Sequence, residues 1–200
     1  MSEPAPALAL LEFDSISAGI FAGDAMVKAS PVSSIHAGTV HPGKYLVMVS
    51  GDTASVDIAL STGRDAGGDH VSDWVFLPDV HPDVTAAIVG NADAASLAEE
   101  ALGIVETLTV AAVIEAADAG VKTADVVVSS VRLADGLGGK GYVLFSGVVA
   151  EVEAAVEAAV ARSAPHGTLV RFDVIAQLHG EMAENLAAEL RFMKRVEEKT

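Results

Sequence analysis

An internal duplication constrains the fold of this chain more than any other feature of its sequence. The stretch Ala101 to Val128 has a second version from Ala9 to Val32. Glu12 and Glu106, Asp24 and Asp118, Ala25 and Ala119, Val27 and Val121, and Lys28 and Lys122 all stand 94 residues apart. Further on, Gly43-Lys44 matches Gly139-Lys140 and Ser50-Gly51 matches Ser146-Gly147 at an offset of 96, and His81 matches His179 at 98. Short insertions in the loops of a duplicated domain produce such stepwise growth. The 200 residues are therefore two copies of one unit, each near the lower end of the usual domain size.

The copies predict the same order of elements. The first domain spans 7–90, the second 101–179, the polar, Ala-rich stretch 91–100 links them, and 180–200 forms a C-terminal amphipathic helix. In the first copy, the apolar run Ala7–Phe13 reads as a strand. Ser15 or Ser17 caps a helix that reaches about Ala29, with Ile20, Met26 and Val27 on its inner side and Pro31 beyond its end. Strands over 32–40 and 45–50 flank the turn His41-Pro42-Gly43-Lys44. Asp52 or Thr53 caps a helix with Val56, Ala59 and Leu60 on one face, 71–77 is a strand, and Pro82 opens a short helix that stops at Gly90. The second copy repeats this with strands over 102–106, 126–133, 141–146 and 169–175, helices over 110–123 and 149–164, and a turn over 135–139. After His179, the residues Met182, Leu186, Leu190 and Met193 share one helix face. The fold class is α+β: each domain is a mainly antiparallel sheet with helices on one face. His81 and His179 each help to close their own domain.

Composition narrows the function. The apolar content of 51% includes only 4% aromatic residues, so it consists mostly of small side chains that suit close packing between neighbouring units. A formal net charge of −16 argues against nucleic acid or an anionic membrane surface as partner. The absence of cysteine removes disulfides, thiolate nucleophiles and cysteine-ligated clusters. MSEPAPA lacks the features of a secretory signal, and no apolar run is long enough to span a bilayer, so a cytoplasmic location is expected. No catalytic constellation emerges: Ser, His and Asp are scattered, and the six histidines lack metal-ligand spacing. Gly138-Gly139-Lys140-Gly141 is not a phosphate loop, since no glycine stands at Ala134 and no Ser or Thr follows the lysine.

The blocks GDAMVKAS and AADAGVKTA, the turns HPGK and LGGK, and the SGD and SGV that open each second helix occur in the same order in each copy, and LPDVHP stands near the end of the first. Together they resemble the tandem-domain, trimeric shell proteins of bacterial microcompartments, most of all the tandem subtype of propanediol-utilisation compartments. The resemblance spans about Ala7 to His179. It implies a structural, non-enzymatic protein: a homotrimer forming a pseudohexameric tile in a shell facet, with other shell proteins as neighbours and a central pore for small polar metabolites. It places Val40, His41, Pro42 and Gly43, with Gly136, Leu137, Gly138 and Gly139, on the pore, and Lys28 and Lys122 at the tile edge. That subtype holds an iron-sulfur cluster on a pore cysteine; His41 stands there in this chain, so no such cluster, and no other cofactor, is expected. His41 at a three-fold axis is the one candidate for setting the pore's charge or holding a metal or an anion. The family's Pro-Arg-Pro-His edge segment reads Pro78-Asp79-Val80-His81 and Ala176-Gln177-Leu178-His179, without the arginine. The asparagine often found after the edge lysine is replaced by Pro31 and Asp125. The competing function is a soluble trimeric small-molecule-binding or signalling protein that forms no lattice.

Overall fold

The computed structural model describes residues 7–90 and 101–187. The first domain runs β1 (Ala7–Phe13), α1 (Ile16–Ala29), β2 (Ser34–Val40), β3 (Lys44–Gly51), α2 (Thr53–Gly67), β4 (Val71–Leu77) and α3 (Pro82–Ile88). The second repeats it as β5 (Ala101–Thr107), α4 (Val110–Thr123), β6 (Val127–Leu133), β7 (Gly141–Gly147), α5 (Val149–Ser163), β8 (Leu169–Ile175) and α6 (Gly180–Ala187). Each domain holds a four-stranded antiparallel sheet, ordered β2-β3-β1-β4 and β6-β7-β5-β8. Register is shared: Leu8 pairs with Ser50 and Leu77, and Leu102 with Ser146 and Ile175. Both central strands carry an irregularity at the same place, after Glu12 and after Glu106. The linker 91–100 lies outside the described residues.

β1 is buried along its whole length, which explains why it is apolar at every position but Glu12. Ala7, Ala9, Leu11 and Phe13 pack with Ala22 and Met26 of α1 and Val56, Ala59 and Leu60 of α2. Leu8 and Leu10, on the opposite face, join a different core. The caps follow local chemistry: Ser15 accepts from the Ala18 amide, Asp52 from Ser55, and Thr109 from Ala112. The helices approach closely because small residues line their contact. A Cβ on Gly63 would lie 2.6 Å from the Met26 sulfur, and one on Gly120 would lie 3.1 Å from the Ala155 carbonyl of α5.

The inner side of α1 differs from the expectation. Met26 is buried, but Ile20 is 55% exposed and Val27 is also open to solvent. Gly19, Ala22 and Gly23 take the inner positions with Met26, because bulkier side chains cannot fit where the helix meets Tyr45 and Val47. The branched residues are thereby left on a second apolar stripe.

In the second domain that second stripe is covered. α4 is apolar almost all round and buried over most of its circumference, from Val110 and Ile114 to Ala117 and Val121. One side faces its own sheet, and the other packs on β1 and β4 of the first domain, so both domains share one hydrophobic cluster. α3 lies beside β6 and completes this seam. At the end of the chain, Leu178 and Ala183 cover Leu102 and Leu144, with Leu186 packed against them. Met182, expected on the inner face of α6, is half exposed, since Ala183 takes the inward position one residue later. Leu190 and Met193 lie outside the described residues.

Candidate functional site

Two features of the fold can carry function: the seam between the domains and a pair of loops at the ends of the central hairpins. At the seam, the Glu12 carboxylate is fully buried. It accepts the Ala111 amide in the first turn of α4 at 2.7 Å and the Lys44 ammonium at 3.1 Å. Burial pushes its pKa above the ordinary glutamate value and nearby Asp73 adds to this, while the Ala111 amide and Lys44 oppose the rise. The hydroxyl of Thr109 donates to Asp73 across the seam. Asp118, also buried, accepts the His81 amide at 2.8 Å through one oxygen and Lys122 at 2.8 Å through the other. Lys122 also donates to the Asp79 carbonyl. One domain thus offers a carboxylate and a backbone segment, and the other a helix with its first amides, an aspartate and a lysine.

Each half of this contact exists again on the opposite side of the chain, the helix half exposed and the sheet half covered in part by α6. Ile16, Ile20, Asp24, Val27 and Lys28 on α1 occupy the positions of Val110, Ile114, Asp118, Val121 and Lys122 on α4, and all five are exposed. Among the described residues, Asp24 and Lys28 are bonded only to one another. On the second sheet, Leu102, Ile104 and Ile175 stand where Leu8, Leu10 and Leu77 stand on the first. Glu106 holds Lys140 as Glu12 holds Lys44, and among the described residues its remaining oxygen accepts no amide from a helix. The repeated Gly-Lys pair thus serves the glutamate of each central strand, buried at Glu12 and partly exposed at Glu106.

The proposed pore residues gather at one place. Val40 ends β2, His41 to Gly43 make the β2–β3 turn, and Gly136 to Gly139 lie in the longer β6–β7 loop. Gly43, Gly136, Gly138 and Gly139 all have positive φ, which the tight turns require. The loops touch: a Cβ on Gly139 would lie 3.2 Å from Pro42 Cδ and 3.6 Å from the His41 carbonyl. His41 Nδ1 is 3.7 Å from Asp135 Oδ1, with both side chains largely in solvent. All eight pore candidates therefore fall on one two-loop cluster, whereas the edge candidates divide: Lys122 belongs to the seam and Lys28 to the free face of α1. Among the described residues of a single chain, no three His, Asp or Glu side chains converge as a metal site.

His81 and His179 each cap the helix that follows, accepting the amides of Asp83 and Glu181. Sequence reasoning missed Asp135, Asp73, Thr109 and the role of Glu12. Only Glu12 left a signal, an acid inside an apolar strand at the same place in both copies, in LLEF and IVET.

The BMC domain family matches residues 7–80 and 101–178. The chain belongs to this family of bacterial microcompartment shell proteins and carries two BMC domains in tandem. It is similar to the bacterial microcompartment shell protein PduT of Citrobacter freundii, with 40% identity over 176 residues, covering 88% of this chain and 95% of that protein. The shell protein EutM of Salmonella typhimurium matches over 85 residues at 40% identity, covering 42% of this chain and 86% of EutM. Among solved structures, a microcompartment protein from Desulfitobacterium hafniense DCB superposes with a TM-score of 0.80 and 38% identity, covering 90% of this chain and 99% of that one. The role these findings define is that of a structural shell component.

Proposed function

We propose that three copies of this chain close into a ring of six domains that tiles a microcompartment shell, with the paired loops around a central pore. The carrying observation is that the exposed stripe on α1 and the part of the second sheet left open beside α6, at Ile104, Glu106 and Ile175, repeat the two halves of the seam already formed within the chain. Repeating one heterologous contact with a constant rotation closes a ring. Six modules at two per chain make a homotrimer. Between chains, the Ser17 amide takes the place of Ala111 against Glu106, Asp24 takes that of Asp118 against the His179 amide, and Lys28 reaches the Gln177 carbonyl. In that ring Val40, His41, Pro42, Gly43, Gly136, Leu137, Gly138 and Gly139 face the axis, where small polar metabolites pass. The tile works without a cofactor and without catalysis, in the shell of a compartment inside the bacterial cytoplasm, beside other shell proteins.

The test is the mass in solution by light scattering, followed by negative-stain electron microscopy with and without a single-domain shell protein. A mass of three chains, and sheets under either condition, support the reading. A monomer, or a trimer that joins no lattice, overturns it and favours a discrete soluble binding protein.

A further inference from the structure

The two short helices that follow the edge strands β4 and β8 begin alike but lie in different surroundings. α3 and α6 are each capped by a histidine, His81 and His179, and the amides of Val84 and Met182 bond the carbonyls of those histidines at 3.0 and 2.9 Å. Val84 and Met182 therefore occupy the same position. Toward its own sheet α6 turns Ala183 and Leu186, which pack with Leu102, Ile104 and Tyr142. The neighbouring face is where the helices diverge. α3 lies beside β6 of the second domain, and Val84 is fully buried in one cluster with Val126, Val128 and Val131. Met182 is 52% exposed. The matching strand surface is open as well. Ile35 pairs with Val49 as Val128 pairs with Phe145, and Ala37 pairs with Val47 as Val131 pairs with Val143. Val128 is 2% exposed, whereas Ile35 is 38% exposed. The two sets also agree in size. Val84, Val128 and Val131 hold the same number of side-chain non-hydrogen atoms as Met182, Ile35 and Ala37, so the longer side chain on the helix faces a smaller one on the strand. Cores tolerate exchanges that conserve total volume and penalise unmatched ones. Asn185 stands at the position of Ala87, which leaves Met182 as the large apolar side chain of that face.

We propose that α6 is a strap between copies of this chain, with Met182 seated against Ile35 and Ala37 on β2 of the next copy as Val84 is seated beside β6 within one chain. The contact rests on the ring described above. It adds to each inter-chain seam an apolar anchor separate from the bonds of Glu106, Asp24 and Lys28. The compensated sizes make the strap selective for this chain's own β2. A neighbour with a larger residue at position 37 collides with Met182, and one with a smaller residue at position 35 leaves a void.

Sedimentation equilibrium of the full chain tests the strap. Met182 and Ile35 are both exposed in the single chain, so Met182→Asp and Ile35→Asp should leave the urea midpoint of dilute protein unchanged. Each places a charge in an apolar contact three times per ring and should raise the trimer dissociation constant by about a hundredfold or more. Met182→Lys combined with Ile35→Asp should bind about tenfold tighter than Ile35→Asp alone, because the two charges then meet across the contact. A parent and Asp variants that assemble equally well overturn the strap and assign the outer face of α6 to a different partner. A double variant no tighter than Ile35→Asp overturns it too. The mass of the parent separates the strap from the ring: a parent that forms no trimer removes both, whereas a parent trimer indifferent to the substitutions removes the strap alone.

Discussion

Ile20 and Ile114 occupy the same position in the two copies, and the seam predicts opposite consequences for truncating them. Ile114 has no exposed surface and joins the core shared by both domains, whereas Ile20 is 55% exposed. Ile114→Ala therefore removes a fully buried side chain and should cost about 2–5 kcal/mol of folding stability. Ile20→Ala should leave the folding of the isolated chain within about 0.5 kcal/mol, as at other surface positions. Its effect appears on association. Half an isoleucine side chain still awaits burial, so at about 0.8 kcal/mol per buried methylene the truncation removes roughly 1 kcal/mol from each seam. A closed trimer has three such seams, and a loss of about 3 kcal/mol raises its dissociation constant roughly a hundredfold. Sedimentation equilibrium gives that constant, and urea unfolding at low protein concentration gives the folding term. The reasoning is refuted if Ile20→Ala assembles as tightly as the parent, or if it lowers chain stability as much as Ile114→Ala.

Other outcomes follow from the same structure. Because burial raises the Glu12 pKa, the folded chain holds its proton to higher pH than the unfolded chain does. The stability from this group is full below the ordinary value of 4.5 and is lost as pH rises through the folded value. In parallel urea titrations, the stability of the parent relative to Glu12→Gln should therefore fall across that window; a constant difference contradicts it. Gly120→Ala drives a methyl into Phe145 and should destabilise by about 1–3 kcal/mol in thermal melts, despite the better helix propensity of alanine. His41→Ala removes an exposed side chain, so melts should change by less than about 0.5 kcal/mol while the flux of charged solutes through reconstituted sheets changes; unchanged flux removes His41 from the pore.

Much of the fold was legible from local chemistry. The strands Ala7–Phe13, Val71–Leu77 and Leu169–Ile175 and the helix Val110–Thr123 follow their apolar runs and caps, and the duplication supplied a second reading of each. The inner side of α1 was not legible, because periodicity finds apolar stripes without saying which of two meets the helix's own sheet. Gly19 and Gly23 decided it, through contact with Tyr45 and Val47 on a strand that only the fold brings near. The seam was hidden for the same reason. Glu12 meets Ala111 across 99 residues of sequence, and Thr109 meets Asp73 across 36. The proposed pore loops could be located as turns, but the approach of His41 to Asp135 needs both sheets in place. Lys28 and Lys122 match in sequence yet differ in setting, since only one of them has a neighbouring domain within the chain.

The measurement that bears most directly on the repeated seam is inter-chain cross-linking, made clean by the absence of native cysteine. Lys28→Cys with Gln177→Cys places thiols at the positions equivalent to Lys122 and Asp79, which meet across the seam within one chain. Treated with a short bis-maleimide at dilute protein concentration, the double variant should give covalent dimers and trimers and nothing larger, and each single variant should give no trimers. Products that stay monomeric, or a ladder running past three chains, would contradict closure of the seam into a ring of three.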